Sequence, residues 1–181
     1  MIVPTPYAYS DVADGGVWED GDQRKEESIR YDFSYEGEPT PPMEGGSGDE
    51  LLPHIKKFED IRTNVEGSQP WESGKHFAYL RLADAILCHA ECLNELGRTA
   101  EAVNEVNDKI RARAWGGTLP ADKRWNTGMS QDEFRTNILT ERVRELCFEG
   151  WRRIDLIRTG NLIKYAKEYN PSVKKANAIQ D

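Results

Sequence analysis

The feature that most constrains the fold is a run of glutamates set among apolar residues between residues 130 and 160. Ser130 and Glu133 form an S-x-x-E capping box, which predicts that a helix begins there. Carboxylates recur along this helix at i, i+4 and i+8, as Glu141, Glu145 and Glu149. Apolar residues lie both on their side of the helix and on the opposite side, which is typical of an inner helix. Because buried carboxylates are costly unless they are paired, these three need cationic partners.

Arginines are dense nearby, so we predict a structural ion-pair set rather than a reactive one. Its predicted members are Glu141, Glu145, Glu149, Arg111, Arg113 and Arg142, and further local candidates are Arg144, Arg152 and Arg153. A helical stripe of acids can alternatively build a carboxylate-bridged metal or catalytic site, but such sites use Glu-x-x-His spacing. No Glu-x-x-His occurs in the sequence. We therefore predict neither a metal site nor a cofactor.

Three stretches of this region resemble motifs of one protein family. Residues 141–160, ERVRELCFEGWRRIDLIRTG, resemble the "ERxREL-FEG-R--DL-R-G" motif of the SusD/RagB family, whose members are nutrient-binding surface lipoproteins of the Bacteroidetes outer membrane. Residues 79–94, YLRLADAILCHAECLN, and residues 110–114, IRARA, resemble two further family motifs, in the family order. The resemblance implies a helical fold built on tetratricopeptide-like hairpins. It also implies that this chain is the C-terminal portion of a longer protein, with the export signal and lipid-acceptor cysteine in a part absent from this chain.

Composition divides the chain into three parts that form one structural unit. Residues 1–75 hold seven of nine prolines and nine of fifteen glycines, which favours loops. Within them, apolar and polar residues alternate over 29–35, the period of a half-buried strand, and 54–61 is a weaker strand candidate. Residues 76–170 are the predicted helical core, and 171–181 a flexible tail. The predicted fold class is mainly α, with tetratricopeptide-like hairpins and a loop-rich, short-stranded N-terminal part.

The helical core begins with a predicted hairpin. Apolar residues cover most of a helix over 77–96, Gly97 is its expected C′ residue, and Thr99 is the expected cap of the next helix. The apolar stripe of that second helix is Val103, Val106, Ile110 and Ala114. Residues 116–129 are a predicted loop. After the capped helix, a short helix is expected through 158, and a last one that ends before Pro171.

Composition and motifs also exclude several functions. A net charge of −8 argues against a nucleic-acid partner, which needs clustered cations, and no apolar run is long enough to span a bilayer. No nucleophile motif or phosphate-binding glycine loop is present. We therefore predict that the protein is not an enzyme.

Sugars are held by aromatic faces with polar groups nearby, and such aromatics are expected on loops. The predicted ligand-binding residues are Trp18, Tyr7, Tyr9 and Trp71 as stacking platforms and Asp14 as a hydroxyl acceptor. Each tryptophan can instead simply fill the core. With the family resemblance, the chain is expected to be a non-catalytic glycan- or nutrient-binding protein of a SusCD-type outer-membrane uptake system, partnered with a TonB-dependent transporter. The alternative is a helical-repeat adaptor that binds a protein segment.

Overall fold

The computed structural model describes residues 4–30, 34–35, 38–39, 53–58, 78–170 and 173. Its helices are α1 (Pro6–Tyr9), α2 (Arg24–Ser28), α3 (Leu82–Glu95), α4 (Thr99–Glu105), α5 (Ala112–Ala114), α6 (Gln131–Glu145), α7 (Trp151–Arg158) and α8 (Leu162–Tyr169). Its strands are β1 (Ile29–Arg30), β2 (Ser34–Tyr35), β3 (Glu38–Pro39) and β4 (His54–Ile55). The predicted mainly α fold is confirmed.

The strands form two short antiparallel pairs. β1 pairs with β4, with Ile29 opposite Ile55, and β2 pairs with β3. β1 and β2 lie within the predicted 29–35 alternation, and β4 lies at the start of the weaker candidate. Pro39, at the end of β3, suits an edge position because proline has no N–H to donate to a ladder.

A helical hairpin of α3 and α4 forms the main apolar core with α6. Leu87, Ala90 and Leu93 of α3 pack with Phe134 and Ile138 of α6 and with three residues of the predicted stripe, Val103, Val106 and Ile110. At the hairpin turn Gly97 takes a φ of 75°, and the next N–H, of Arg98, donates to the Leu93 carbonyl. This is the left-handed C′ geometry that favours glycine, and it confirms the prediction.

Two details of the hairpin differ from the sequence prediction. α3 begins at Leu82 rather than near residue 77, because Arg81 has an extended backbone conformation. Thr99 does not cap α4. Its hydroxyl donates to Asn94 Oδ1 across the turn at 2.8 Å. The buried Asn94 amide therefore binds the hydroxyl that was predicted to cap α4.

Between α4 and α5 the helix continues through a π-helical turn, Val106–Arg111. The wider turn brings Asn107 and Arg111 inward beside the predicted apolar stripe, and both are almost fully buried. Asn107 is satisfied by the backbone of Trp125, donating to its carbonyl and accepting from its N–H, each at 3.0 Å. The π turn thus inserts two polar side chains into a helix face that sequence periodicity describes as apolar.

α6 begins as predicted, because Ser130 is its N-cap and Oγ accepts from the Glu133 N–H at 3.2 Å. Its last turn and the two residues that follow it are buried on all sides, from Glu141 to Cys147. The N-terminal segment covers one side, where Val17 and Trp18 pack against Val143 and Cys147. Within the described residues, no helix combines the length and the apolar character needed to cross a membrane.

Candidate functional site

The glutamates of α6 lie at the centre of a buried charge network. Glu141 is inaccessible to solvent and accepts hydrogen bonds from three arginines. These are Arg24 at 2.8 Å, Arg111 at 2.9 Å and Arg144 at 3.1 Å. Burial raises the pKa of Glu141, but Coulombic attraction to Arg24, Arg144 and Arg111 outweighs it and lowers that pKa to about 2. The carboxylate is therefore held ionised inside the protein.

The next two glutamates, Glu145 in the last turn of α6 and Glu149 four residues after the helix ends, are paired as well. Glu145 accepts from Arg24 at 3.2 Å and Arg81 at 3.1 Å, and also from Arg113. Burial raises the pKa of Glu145, and Coulombic attraction to Arg24 and Arg113 lowers it to below its usual value. Glu149 accepts from Arg81 Nε at 2.7 Å. All three carboxylates thus have the cationic partners that burial demands.

Arg111 is the most enclosed cation of the network, at 1% exposure. Its guanidinium lies 5.1 Å from the ring centres of both Trp115 and Trp125, and it donates to Glu19, Glu141 and the Lys123 carbonyl. The π turn places it in this position. Stacking and hydrogen bonding together fix the planar group, which suits arginine and not lysine.

Arg142 does not join the glutamates, which corrects the predicted set. It binds Asp155 at 2.8 Å and Asp84 at 2.8 Å, and so ties α6 to α7 and α3. The reason is helical geometry, because Arg142 follows Glu141 and points about 100° away from it. Two major partners were missed, Arg24 and Arg81. Arg24 lies in the loop-rich residues 1–75, where the D-x-R spacing of Asp22 and Arg24 is the one local sequence signal that could have pointed to it.

The network has the form of a structural scaffold. Each of its carboxylates is bound to at least one cation, whereas a general acid needs a carboxyl group with a raised pKa. Among the described residues, no group of three or more His, Cys, Asp or Glu side chains is arranged to hold a metal ion. Its chemistry is the fixing of helices and of the N-terminal segment around α6.

The structure separates the predicted ligand-binding residues. Trp18 is 0% exposed, and its indole N–H donates to the Ala8 carbonyl at 2.8 Å. A fully enclosed ring has no face for a sugar, so the prediction that Trp18 is a stacking platform is wrong, and the alternative that it fills the core is right. Asp14 is exposed at the end of the 3-10 turn Val12–Asp14, and Tyr9 is half-buried. Trp71 lies outside the described residues.

Tyr7 lies at a pocket of about 530 Å³ between the N-terminal turn and the end of α6. The ring is half-buried, packs against the Val17–Trp18 cluster, and meets the Tyr169 ring at a centroid distance of 4.1 Å. Burial raises the pKa of the Tyr7 phenol, so its hydroxyl is a neutral donor and acceptor. Among the predicted stacking residues that the structure describes, Tyr7 lines this pocket, and Trp18 and Tyr9 do not.

The walls of this pocket are apolar, with a few convergent polar groups. Val143, Leu146 and Phe148 supply apolar surface, and Arg152 and Arg153 supply charge. Phe148 has a φ of 65°, a left-handed conformation that is strained for a bulky residue. Arg152 Nη2 is buried with no hydrogen-bond partner among the described residues. A concave apolar surface with a few polar groups is the usual form of a small-molecule site.

A helical hairpin packed on an inner ion-paired helix, with an aromatic residue at a pocket, defines a helical binding scaffold. The model of the SusD family matches residues 7–181, and the chain belongs to this family. SusD family proteins are generally nutrient-binding lipoproteins of the outer-membrane surface without catalytic activity.

Three relatives show the extent of the match. SusD-like protein P2 of Formosa agariphila is 32% identical over 170 residues, covering 89% of this chain and 32% of the relative. SusD-like protein P38 of the same organism is 31% identical over 153 residues, covering 82% and 28%. The crystal structure of a SusD homolog from Bacteroides thetaiotaomicron is 28% identical with a TM-score of 0.61, covering 77% of this chain and 30% of that chain. The chain thus spans about a third or less of these relatives.

Proposed function

We propose that this protein binds a glycan at the outer-membrane surface and passes it, uncleaved, to a TonB-dependent transporter of a SusCD-type uptake system. The observation that carries the proposal is the SusD family match over residues 7–181. The start of the longest family motif belongs to the scaffold, since residues 141–147 are buried and their charges pair internally. This leaves pockets and loops to select the ligand.

The pocket at Tyr7 is the proposed ligand site. Its aromatic and aliphatic walls suit the C–H face of a sugar, and Arg152 and Arg153 suit the hydroxyls. Tyr9 at the end of α1 and Asp14 in the following 3-10 turn remain proposed contacts, and Trp71 remains a proposed stacking residue. The buried Trp18 holds the N-terminal segment in place, because its indole N–H donates to the Ala8 carbonyl.

The proposal excludes glycan cleavage, and the charge network supports that. A glycosidase needs one carboxyl group that holds a proton near neutral pH and a second one free to act as base or nucleophile. Glu141 and Glu145 have lowered pKa values and are surrounded by arginines. They are thus held ionised and have no open position for a substrate.

Native gels that contain amylopectin, laminarin, xyloglucan or pectic galactan test binding directly. We expect retardation of the protein by at least one of the four, and no release of reducing ends from it. Tyr7→Ala should weaken retention, whereas Tyr79→Ala, which removes a ring that is 77% exposed and lies elsewhere, should not. Equal retention of both variants and the wild type would remove Tyr7 from the site. No retention by any of the four polysaccharides would count against the glycan as ligand.

The second candidate is a helical-repeat adaptor, and the α3–α4 hairpin is the observation that favours it. An adaptor would bind a peptide segment and show no retention in any polysaccharide gel. Co-purification from detergent-solubilised outer membranes separates the two further. The uptake proposal expects a TonB-dependent transporter as the partner, and the adaptor expects a different protein.

A further inference from the structure

A second depression, of about 380 Å³, lies between α3, α6 and the α7–α8 region. Of the predicted ligand-binding residues that the structure describes, none lines it, and the two pockets share no described lining residue. Its composition differs from that of the Tyr7 pocket, because amides, hydroxyls and charged groups surround a small apolar floor. The floor consists of Phe134, Ile138 and Leu139 of α6.

One aromatic ring forms a wall of this groove and is rigidly held. Tyr165 of α8 is half-buried, and the Arg152 guanidinium lies 4.6 Å from its ring centre. Tyr169 supports it from the same helix at a centroid distance of 5.3 Å. A ring supported in this way keeps its orientation without a ligand, which lowers the entropic cost of stacking a sugar on it.

Two arginine–glutamate pairs hold the polar side of the groove. Arg158 of α7 donates twice to Glu91 of α3, at 2.6 and 2.7 Å. Arg135 of α6 donates twice to Glu95 of α3, at 2.8 and 2.5 Å. Both pairs are bidentate and connect different helices, so their planes are fixed. Both oxygens of Glu91 and Oε2 of Glu95 have a further lone pair for a hydroxyl donor, whereas Oε1 of Glu95 also accepts from the Asn94 amide at 3.4 Å.

Other polar groups of the groove are uncommitted within the described part of the chain. Lys164 makes no ion pair or hydrogen bond with the described residues. Asn161 donates its amide N–H groups to Thr159, and no described group donates to its Oδ1. A cationic donor and a neutral acceptor therefore lie beside the Tyr165 ring, in the same groove. This combination suits a sugar, whose ring has an apolar face and several hydroxyls.

We infer that this groove is a second binding site for one or two sugar units of a neutral glycan. Tyr165 stacks on the sugar ring, and Lys164, Asn161 and the glutamates bind its hydroxyls. The inference rests on the proposed function and adds a site to it. The volume fits a short saccharide, and the groove is open to solvent at residues such as Arg135 and Lys164.

The groove binds and does not hydrolyse. Hydrogen bonds from Arg135 lower the pKa of Glu95, whereas a general acid for glycoside cleavage needs a raised pKa. Glu91 and Glu95 also lie one turn apart on the same helix, so they approach a ligand from the same side. Carboxylates that cleave a glycosidic bond flank it.

The test uses the polysaccharide that retards the wild-type protein in the gels described above. Tyr165→Ala should weaken binding about tenfold, because it removes a stacking platform. Lys164→Ala should weaken it about fivefold by loss of a charged donor. Lys167→Ala is the matched control, because it changes the same residue type on the same helix outside the groove, and it should bind like the wild type.

Circular dichroism checks that each variant is folded, and Lys164→Ala, a change of an exposed side chain, keeps the test valid if Tyr165→Ala does not fold. Wild-type retention with no loss in Tyr165→Ala or Lys164→Ala overturns the second site and leaves the proposed function standing. Equal losses in Lys164→Ala and Lys167→Ala also overturn it, because they indicate a general charge effect. Absence of wild-type retention overturns both the site and the glycan-binding proposal.

Discussion

Replacement of Glu141 by glutamine tests whether the charge network holds the fold together. The substitution keeps the shape of a fully buried side chain and removes its charge. Arg24, Arg111 and Arg144 then share one fewer counter-charge in a site from which water is excluded. Breaking a buried ion pair from one side costs about 3–5 kcal/mol.

The pKa of Glu141 supports a loss of unfolding free energy of the same magnitude. A pKa of about 2 in the folded protein, against 4.5 for a free glutamate, corresponds to about 3 kcal/mol of stabilisation at neutral pH. Since the folded pKa is the lower one, this stabilisation is complete above about pH 4.5. It is lost as the pH falls towards 2. The Glu141→Gln variant should lack this contribution, so its deficit against the wild type should shrink over that range.

Urea unfolding at pH 7, followed by circular dichroism, measures the effect. Glu133→Gln is the matched control, since it is an exposed glutamate of the same helix and glutamine also serves in a capping box. We expect a loss of about 3–5 kcal/mol in Glu141→Gln and little change in the control. A Glu141→Gln variant within about 0.5 kcal/mol of the wild type would refute the reasoning, because that is the range of surface substitutions.

Three further outcomes follow from the same structure. Trp18→Ala should destabilise the protein by about 3–5 kcal/mol in urea unfolding, because it empties an enclosed site. Ser130→Ala should cost about 1 kcal/mol in the same assay by loss of the α6 cap. Titration with a thiol reagent at pH 8 should label the exposed Cys88 and Cys92 in the native protein. Cys147 should react only after unfolding, since burial raises its pKa to about 12.

Each of these outcomes has a clear contrary result. A loss below about 1 kcal/mol for Trp18→Ala would indicate an exposed ring and restore its predicted stacking role. An unchanged Ser130→Ala variant would mean that water caps α6 equally well. Native labelling of all three thiols at similar rates would show that the N-terminal segment does not cover Cys147.

The helices were predictable because their signals are local. Periodicity, the Ser130 cap and Gly97 all act within a few residues, so the hairpin, the capped helix and the two C-terminal helices are found where the sequence indicates. The exceptions also lie within a few residues, but there the local signal does not decide which contact forms. Thr99 is an acceptable cap by type, yet the buried Asn94 amide takes its hydroxyl. The π turn at 106–111 has no signal in the apolar stripe, which stays buried through it.

That a charge network surrounds α6 was predictable, but which residues form it was not. Interleaved glutamates on an inner helix require cations, but a helical sequence does not say which distant segment supplies them. Arg24 is 117 residues from Glu141, and Arg81 is 64 from Glu145. The prediction that Trp18 is a stacking platform was wrong for a related reason. Loop-like sequence predicts exposure, but residues 4–30 are folded onto α6, and tertiary packing buries the largest ring among them.

The Arg24 contacts have a consequence for the order of folding. The α3–α4 hairpin can close its core from contacts near in sequence, but Glu141 and Glu145 receive Arg24 only after a loop of more than a hundred residues closes. Until then the most buried carboxylates of α6 lack one of their cations. Because contacts so distant in sequence form slowly, we expect docking of the N-terminal segment to be a late step that fixes α6 in place. A truncation that removes Arg24 should therefore leave the α3–α4 hairpin formed but loosen α6.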